Sequence, residues 1–481
     1  MTKRHLPTLA LALLLLAAGS LASHAQRKEI HILSANDMHA AIEAFPALAD
    51  IADSLRTLYP GLLVFSAGDN RTGEPLNDMY DIPAYPMVAL MNQVGFDATT
   101  LGNHEFDSGG RGLARLIGLS NFSYICANVH PDDSLSMPLR PTQVFDVEGT
   151  RVGVIGVVEL GKRGIPDTHP DNVRGISFSS PSEAVEKYKG LREQCDVLIL
   201  LTHLGYEQDV ELSAATPWAD LIIGGHSHTQ LDGGEMHNGL LITQNSNRLK
   251  RVTHTTIVVA DGKVVEKRAE NIDVQQHTGR NKVVASMLAF FSDNPSFRRV
   301  LTHVATPFER EAELGYMMCD AFMAETGSDI GIQNAGGVRY GQHGVGDFTV
   351  SDVLRLDPFG NDAVVMEITG QELRQMLLAS CGNDGYGFPF VGGIKCQIVR
   401  DKKDPSRMKD LKLFNPDGSK LDLKRRYKVA TSSYVASIAD APRQDPGHSI
   451  NRKTADLVID FLDSQESVSY QGENRITIVT K

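Results

Sequence analysis

Phe96-Asp97-Ala98-Thr99-Thr100-Leu101-Gly102-Asn103-His104-Glu105-Phe106-Asp107-Ser108-Gly109 is the stretch from which the rest of the chain can be read. A strand-forming run, Phe96 to Leu101, delivers a glycine, then an amide, an imidazole and two carboxylates, closed by a second glycine. Polar groups so concentrated suit a reaction centre better than a packing role. The pair His104-Glu105 opens like the helical zinc motif His-Glu-x-x-His. Ser108 occupies the fifth position, however, and the flanking glycines oppose a helix, so that reading fails.

The same unit, an apolar run followed by an abrupt polar loop, occurs on either side. Ile30 to Leu33 runs into Ser34-Ala35-Asn36-Asp37-Met38-His39, and Leu62 to Ala67 ends at Gly68-Asp69-Asn70. Val197 to Leu201 ends at Thr202-His203, and Leu221 to Ile223 at Gly224-Gly225-His226-Ser227-His228. Between the early runs lie helical patterns. Leu48, Ile51, Leu55 and Leu58 recur at three-to-four spacing before a Pro60-Gly61 stop, and a second helix is expected over about Ala84 to Val94. A hairpin is expected over Val144 to Glu159, turning at Glu148-Gly149. Strands alternating with helices predict an α/β fold with buried sheets, whose carboxyl-end loops converge where ligands bind.

The pattern weakens near Asn271 to Pro295 and restarts as α+β. An amphipathic helix is expected over about Leu314 to Glu325, a strand over Ile330 to Gln333, then a glycine-rich loop, a strand Ala363 to Ile368 and a helix from Gly370. The expected division is a leader at 1–25, a first domain at 26–280, a hinge helix at 281–297 and a second domain at 298–481. The leader has a basic start (Lys3, Arg4), an apolar core and the small-residue end Ser23-His24-Ala25, the pattern of an export signal. No cysteine at its end would carry a lipid, and no later run is long enough to span a bilayer, so no membrane anchor is expected. The chain then reads as exported, periplasmic or secreted. The net charge of -12 and the lack of a basic block argue against a nucleic-acid polymer as partner. Five scattered cysteines make no disulfide scaffold, although Cys381 and Cys396 could pair.

Singly, each loop residue has an ordinary explanation as a turn, a cap or a satisfied buried histidine. Together, Asp37, His39, Asp69, Asn103, His203, His226 and His228 place oxygen and nitrogen donors after five separate strands. Such a mixture without thiolates suits hard or borderline divalent ions, and with one bridging carboxylate it supplies two of them. Two ions about 3.5 to 4 Å apart activate water and clamp an in-line displacement at phosphorus. His104 and Asp107 remain: an imidazole to stabilise phosphoryl charge and the leaving oxygen, and a carboxylate to orient it.

These five motifs, in this order, resemble those of the calcineurin-like metallophosphoesterases, and the chain as a whole resembles the bacterial 5'-nucleotidase and UDP-sugar hydrolase family and its animal ecto-5'-nucleotidase relatives. The resemblance implies a sandwich of two mixed sheets flanked by helices, followed by an α+β substrate domain. It implies two divalent ions, zinc, manganese, cobalt or similar, one held by Asp37, His39, Asp69 and His228 and the other by Asp69, Asn103, His203 and His226. His104 and Asp107 would form a catalytic dyad. In the second domain, Asn334-Ala335-Gly336-Gly337-Val338-Arg339 and Asp357-Pro358-Phe359-Gly360-Asn361 match substrate-binding motifs. Asn334, Arg339, Phe359 and Asn361 are therefore expected to bind substrate, Arg339 through phosphate and Phe359 by stacking on the base. Tyr434 and Asp440 keep the spacing of the other half of the base sandwich, but the relatives' Gly-Gly-Asp-Gly turn is Ile438-Ala439-Asp440-Ala441 here. The implied reaction is release of phosphate from nucleoside 5'-monophosphates by metal-activated water. Open alternatives are hydrolysis of cyclic nucleotides, 3'-nucleotides, nucleotide sugars or sulfur esters on the same scaffold, and a non-catalytic nucleotide-binding protein. Neither base preference nor oligomeric state is legible, although a monomer would suffice.

Overall fold

The computed structural model of the protein describes residues 27–379, 387–404 and 408–480. The leader and Cys381, and with it the pairing of Cys381 and Cys396, lie outside these residues. Cys126, Cys195 and Cys319 are buried and free. No helix among the described residues is long and apolar enough to cross a membrane.

The first three expected strands form as Arg27–Ala35, Leu63–Ser66 and Ala98–Thr99 and lie parallel, side by side. Arg27–Ala35 also pairs antiparallel with Arg251–Ala260, which carries Lys263–Asp273 at the sheet edge. With Ser123–Tyr124 at the other edge this makes a six-stranded mixed sheet. Val197–His203 and Leu221–Ile223 belong to a second six-stranded mixed sheet, flanked by the hairpin Thr142–Val147 and Thr150–Val158. The hairpin turns at Glu148 (φ 51°) and Gly149 (φ 79°), both left-handed, the backbone a two-residue turn between twisted strands favours.

Strand alternation explains how the sheets stack. Ile30, Ile32, Phe65 and Ile257 of one sheet meet Val152, Val154, Ile199, Leu201 and Ile223 of the other. Leu33 and Val64 point the opposite way, onto Leu48, Ile51 and Met91 of the helices Phe45–Leu58 and Tyr85–Val94. Leu198, Leu200 and Ile222 likewise meet Val185 and Leu212 outside the second sheet. The result is a helix–sheet–sheet–helix sandwich whose central strands are covered on both faces, which is why they read as continuous apolar runs. Each Ile or Leu buried there contributes roughly 1.5–3 kcal/mol, so the register that sends five loops to one edge is firmly held.

The helix at the expected junction, Lys282–Phe291, is capped by Asn281, whose Oδ1 accepts the amides of Val283 and Val284 at 3.0 Å each. It packs Val284 and Phe291 into the helical layer of the first domain, with Phe291 edge-on to Tyr80 and Tyr85. The second domain is built on a five-stranded sheet ordered Phe390–Gly392, Ile330–Gln333, Arg426–Ser432, Asp362–Thr369 and His448–Lys453. The helix expected to be amphipathic runs Glu311–Thr326, and its residues Leu314 to Cys319 are buried without interruption. It is sandwiched between this sheet and the helix Thr454–Asp463, and at Gly315 a Cβ would collide with the ring of Phe390. Its amphipathic pattern is lost because both sides are covered.

Candidate metal centre and substrate cavity

The five loops meet at one edge of the sandwich. Asp37, His39, Asp69, Asn103 and His203 are buried, with His226 and His228 half-buried beside them. His39 Nε2 and His228 Nε2 are 3.0 Å apart, and His228 Nε2 is 3.4 Å from Asp37 Oδ1. His203 Nε2 is 3.4 Å from Asp69 Oδ2 and 4.0 Å from Asp37 Oδ1. His226 Nδ1 is 3.2 Å from Asn103 Oδ1. Asp69 Oδ2 also lies 3.9 Å from His39 Nε2, so this one carboxylate oxygen faces both groups of donors. Asp37, His39, Asp69, His226 and His228 all have positive φ, between 43° and 80°. Non-glycine residues adopt this backbone at a cost, and such clusters mark sites where geometry serves function. At Gly102 a Cβ would collide with the Asp69 carboxylate, so only glycine admits that side chain.

The residues fit divalent ions on three counts. His203 Nδ1–H donates to the carbonyl of Ala67 at 2.7 Å, leaving Nε2 buried, aimed at the carboxylates and without a hydrogen-bond partner among the described residues. A fixed tautomer with a bare nitrogen is the usual form of a metal-ligating imidazole. Burial opposes charge on His203, yet the carboxylates of Asp69 and Asp37 push its pKa up to about 10; they favour positive charge at Nε2, a place that either a proton or a divalent ion can fill. Burial and the neighbouring His203 push His226 down to about 4, keeping it neutral. Carboxylates and imidazoles without thiolates, finally, select hard and borderline ions.

His104 stands against this cluster. Its Nδ1–H donates to Asp107 Oδ2 at 2.8 Å, and its Nε2 lies 4.0 Å from Asp69 Oδ2. Burial disfavours the imidazolium, but Asp69 and Asp107 outweigh it and hold the pKa above its ordinary value. The sequence assigned no role to Glu105 or Phe106. Glu105 is a buried scaffold: Oε2 accepts the amides of Asp69 (2.9 Å) and Gly102 (2.6 Å), and Oε1 accepts that of Asn70 (2.8 Å). Phe106 is fully buried, edge-on to Phe178.

A cavity opens from His104 towards the second domain, lined by Asn103, Asp107, Asn334, Arg339, Phe359, Asn361 and Tyr434 among others. Arg339 Nη2 sits against both ring nitrogens of His39, at 3.3 and 3.4 Å, while its guanidinium lies 5.5 Å from the centre of the Phe359 ring. That ring stacks on His104 at 5.8 Å. Tyr434 donates its hydroxyl to Asp167 Oδ1 at 2.5 Å, closing the cavity from the far side. Asp440 is exposed, and the cavity lining does not include it. Sequence reasoning overlooked the wall contributed by the first domain, Asp167, Thr168, His169 and Asn172. The run Pro166-Asp167-Thr168-His169-Pro170-Asp171-Asn172, polar residues bracketed by prolines, was the available signal. Asp167 is held in turn by Glu159, whose Oε1 accepts its amide at 2.6 Å and whose pKa burial pushes up to about 7.

A four-layer sandwich bearing such a cluster at its loop edge belongs to the metal-dependent phosphoester hydrolases. The calcineurin-like phosphoesterase family model matches residues 30–230, and the 5'-nucleotidase C-terminal domain model matches residues 293–442. The chain therefore joins a calcineurin-like phosphoesterase domain to a 5'-nucleotidase C-terminal domain. It is 26% identical over 474 residues to the trifunctional nucleotide phosphoesterase YfkN of Bacillus subtilis, covering 86% of this chain but only 32% of YfkN. It is 27% identical over 477 residues to the 5'-nucleotidase of Vibrio cholerae, covering 85% and 83% of the two chains. The crystal structure of the 5'-nucleotidase precursor from Thermus thermophilus shares the fold, with a TM-score of 0.82 at 24% identity over 94% of this chain and 99% of that one.

Proposed function

We propose that the protein releases phosphate from nucleoside 5'-monophosphates after export from the cytoplasm. The observation that carries this reading is the cavity in which Asn103, His104 and Asp107 of one domain, beside the Asp/His cluster, face Arg339, Phe359 and Tyr434 of the other. A phosphoryl group fits beside His39, where Arg339 supplies charge to its oxygens. Phe359 and Tyr434 offer aromatic surface to a flat base. The names of the B. subtilis and V. cholerae relatives agree with a nucleotide substrate.

Asp37, His39, Asp69 and His228 would hold one divalent ion and Asp69, Asn103, His203 and His226 the other, with the hinge at residues 281–297. Two bound ions would lower the pKa of a water and neutralise phosphoryl charge. On attack the P–O ester bond breaks, and its electron pair leaves with the nucleoside oxygen. His104 Nε2–H, on the cavity side, donates the proton that this oxygen needs, while Asp107 holds the ring in the required tautomer through Nδ1. Arg339 keeps the phosphoryl oxygens in line, and Glu105 keeps Asp69 in place through the backbone.

The test is phosphate release after metal reconstitution from AMP, UMP, 3'-AMP, 2',3'-cyclic AMP, UDP-glucose and ATP. The reading requires 5'-monophosphates to lead in kcat/KM. Preference for the cyclic, 3'- or sugar substrates would move the function to those relatives' chemistry, and no turnover of any would end it.

A further inference from the structure

We propose that Thr72 is a positioning residue that locks the His104–Asp107 pair to the metal-ligand candidate His39. The inference rests on the phosphohydrolase reading above and extends it to a residue outside the metal cluster and the dyad. Thr72 is 1% exposed and follows Asp69 in the same loop. Each of its polar atoms has one partner. The hydroxyl donates to Asp107 Oδ2 at 2.7 Å. The carbonyl accepts His39 Nδ1–H at 3.2 Å. The amide donates to Asp78 Oδ1 at 3.1 Å, and Asp78 Oδ2 also accepts the amides of Gly73 and Glu74 at 2.7 and 3.0 Å. Thr72 itself has φ 72°, a backbone that β-branched residues avoid. Strain at a residue whose three polar atoms are all engaged implies that the arrangement, not the local preference, decides the conformation.

The geometry explains what the hydroxyl does. Asp107 Oδ2 receives two donors, His104 Nδ1–H at 2.8 Å and the Thr72 hydroxyl at 2.7 Å, whereas Oδ1 has the more distant Thr168 hydroxyl at 3.4 Å. Without the Thr72 hydroxyl only His104 itself and the distant Thr168 hydroxyl hold the carboxylate against turning about its Cβ–Cγ bond, so the acceptor that aims His104 Nε2 at the leaving oxygen is less firmly fixed. Through its carbonyl the same residue fixes the tautomer of His39, so that one side chain and its backbone set both the acid and a ligand.

Thr72→Val keeps the shape and the strained backbone and removes only the donor; Thr72→Ser restores the donor. With metals reconstituted, Thr72→Val should lower kcat on AMP on the order of 10-fold with KM and metal content little changed. On p-nitrophenyl phosphate, whose leaving group departs unprotonated, kcat should hardly move. Thr72→Ser should recover most of the loss. Full kcat of Thr72→Val on AMP, equal losses on both substrates, or no rescue by serine would each overturn the proposal. Thr72→Ala provides a second arm, which remains informative if Thr72→Val is poorly folded, because it removes the same donor without a β-branch at φ 72°. Combined with Asp107→Asn, either Thr72→Ala or Thr72→Val should give losses far from additive; additive losses would overturn the coupling. If the wild-type protein hydrolyses neither substrate, the phosphohydrolase reading fails first, and this proposal with it.

Discussion

Glu105→Gln is the perturbation whose size follows most directly from the structure. Glu105 is buried and its two oxygens accept three backbone amides, those of Asp69, Gly102 and Asn70, at 2.6 to 2.9 Å. Glutamine preserves the volume, so no cavity term enters. One oxygen becomes an NH2, however, and must face a donor. If the amide oxygen takes the place of Oε2, the Asn70 amide is left without a partner; if it takes the place of Oε1, the amides of Asp69 and Gly102 are. An unpaired buried donor costs about 1–3 kcal/mol, and the surviving bonds lose their charge assistance, so the total is on the order of 2–5 kcal/mol. In a domain of this size that lowers Tm by roughly 5–15 °C. The loss should extend to metal content, because Asp69 stands at φ 51° and Glu105 helps to hold it there. Thermal unfolding by calorimetry, with metal analysis on the same preparations, is the assay. A Glu105→Gln protein with the wild-type melting curve and full metal content would show that Asp69 is held by something other than this carboxylate.

Three further outcomes are expected. His104→Ala should lower turnover of AMP by roughly 100-fold while metal content stays at the wild-type value; metal loss would instead make His104 a ligand. Phe359→Ala should weaken kcat/KM for nucleoside monophosphates far more than for p-nitrophenyl phosphate, and equal effects would remove the stacking role. Asp209 is fully buried, its Oδ1 accepting the Thr202 hydroxyl at 2.6 Å and its Oδ2 without a hydrogen-bond partner among the described residues, and burial pushes its pKa up to about 7. Because the folded value lies above the unfolded one of about 3.9, its contribution to stability is full below pH ~4 and is lost as pH rises through about 7. Asp209→Asn should therefore be the more stable protein at pH 8, by up to about 4 kcal/mol, with the advantage shrinking towards pH 4; chemical denaturation giving the same difference at both pH values would contradict this.

The strand-and-loop units were legible because strands covered on both faces leave continuous apolar runs, and because a loop at a strand end has no packing reason to hold Asp, Asn and His together. How those strands divide between two sheets was not in the runs themselves: Phe65 and Ile199 look alike as sequence, yet they come from opposite sheets and meet at the interface. The helix Glu311–Thr326 was misjudged in its exposure because Phe390 and the helix Thr454–Asp463, which cover it, lie far along the chain. Glu105 could not be separated from the candidate ligands around it, since its partners are backbone amides and those carry no sequence signal. Tyr434 lines the cavity, whereas Asp440, chosen by the same spacing, stands outside it.

The most direct test is anomalous diffraction from crystals soaked in manganese. The account predicts two ions about 3.5–4 Å apart, both bound to Asp69, one completed by Asp37, His39 and His228 and the other by Asn103, His203 and His226, with His104 bound to neither. A single ion, or an ion held by His39, Asp69 and His104, whose ligand atoms also lie close enough to share one, would contradict it.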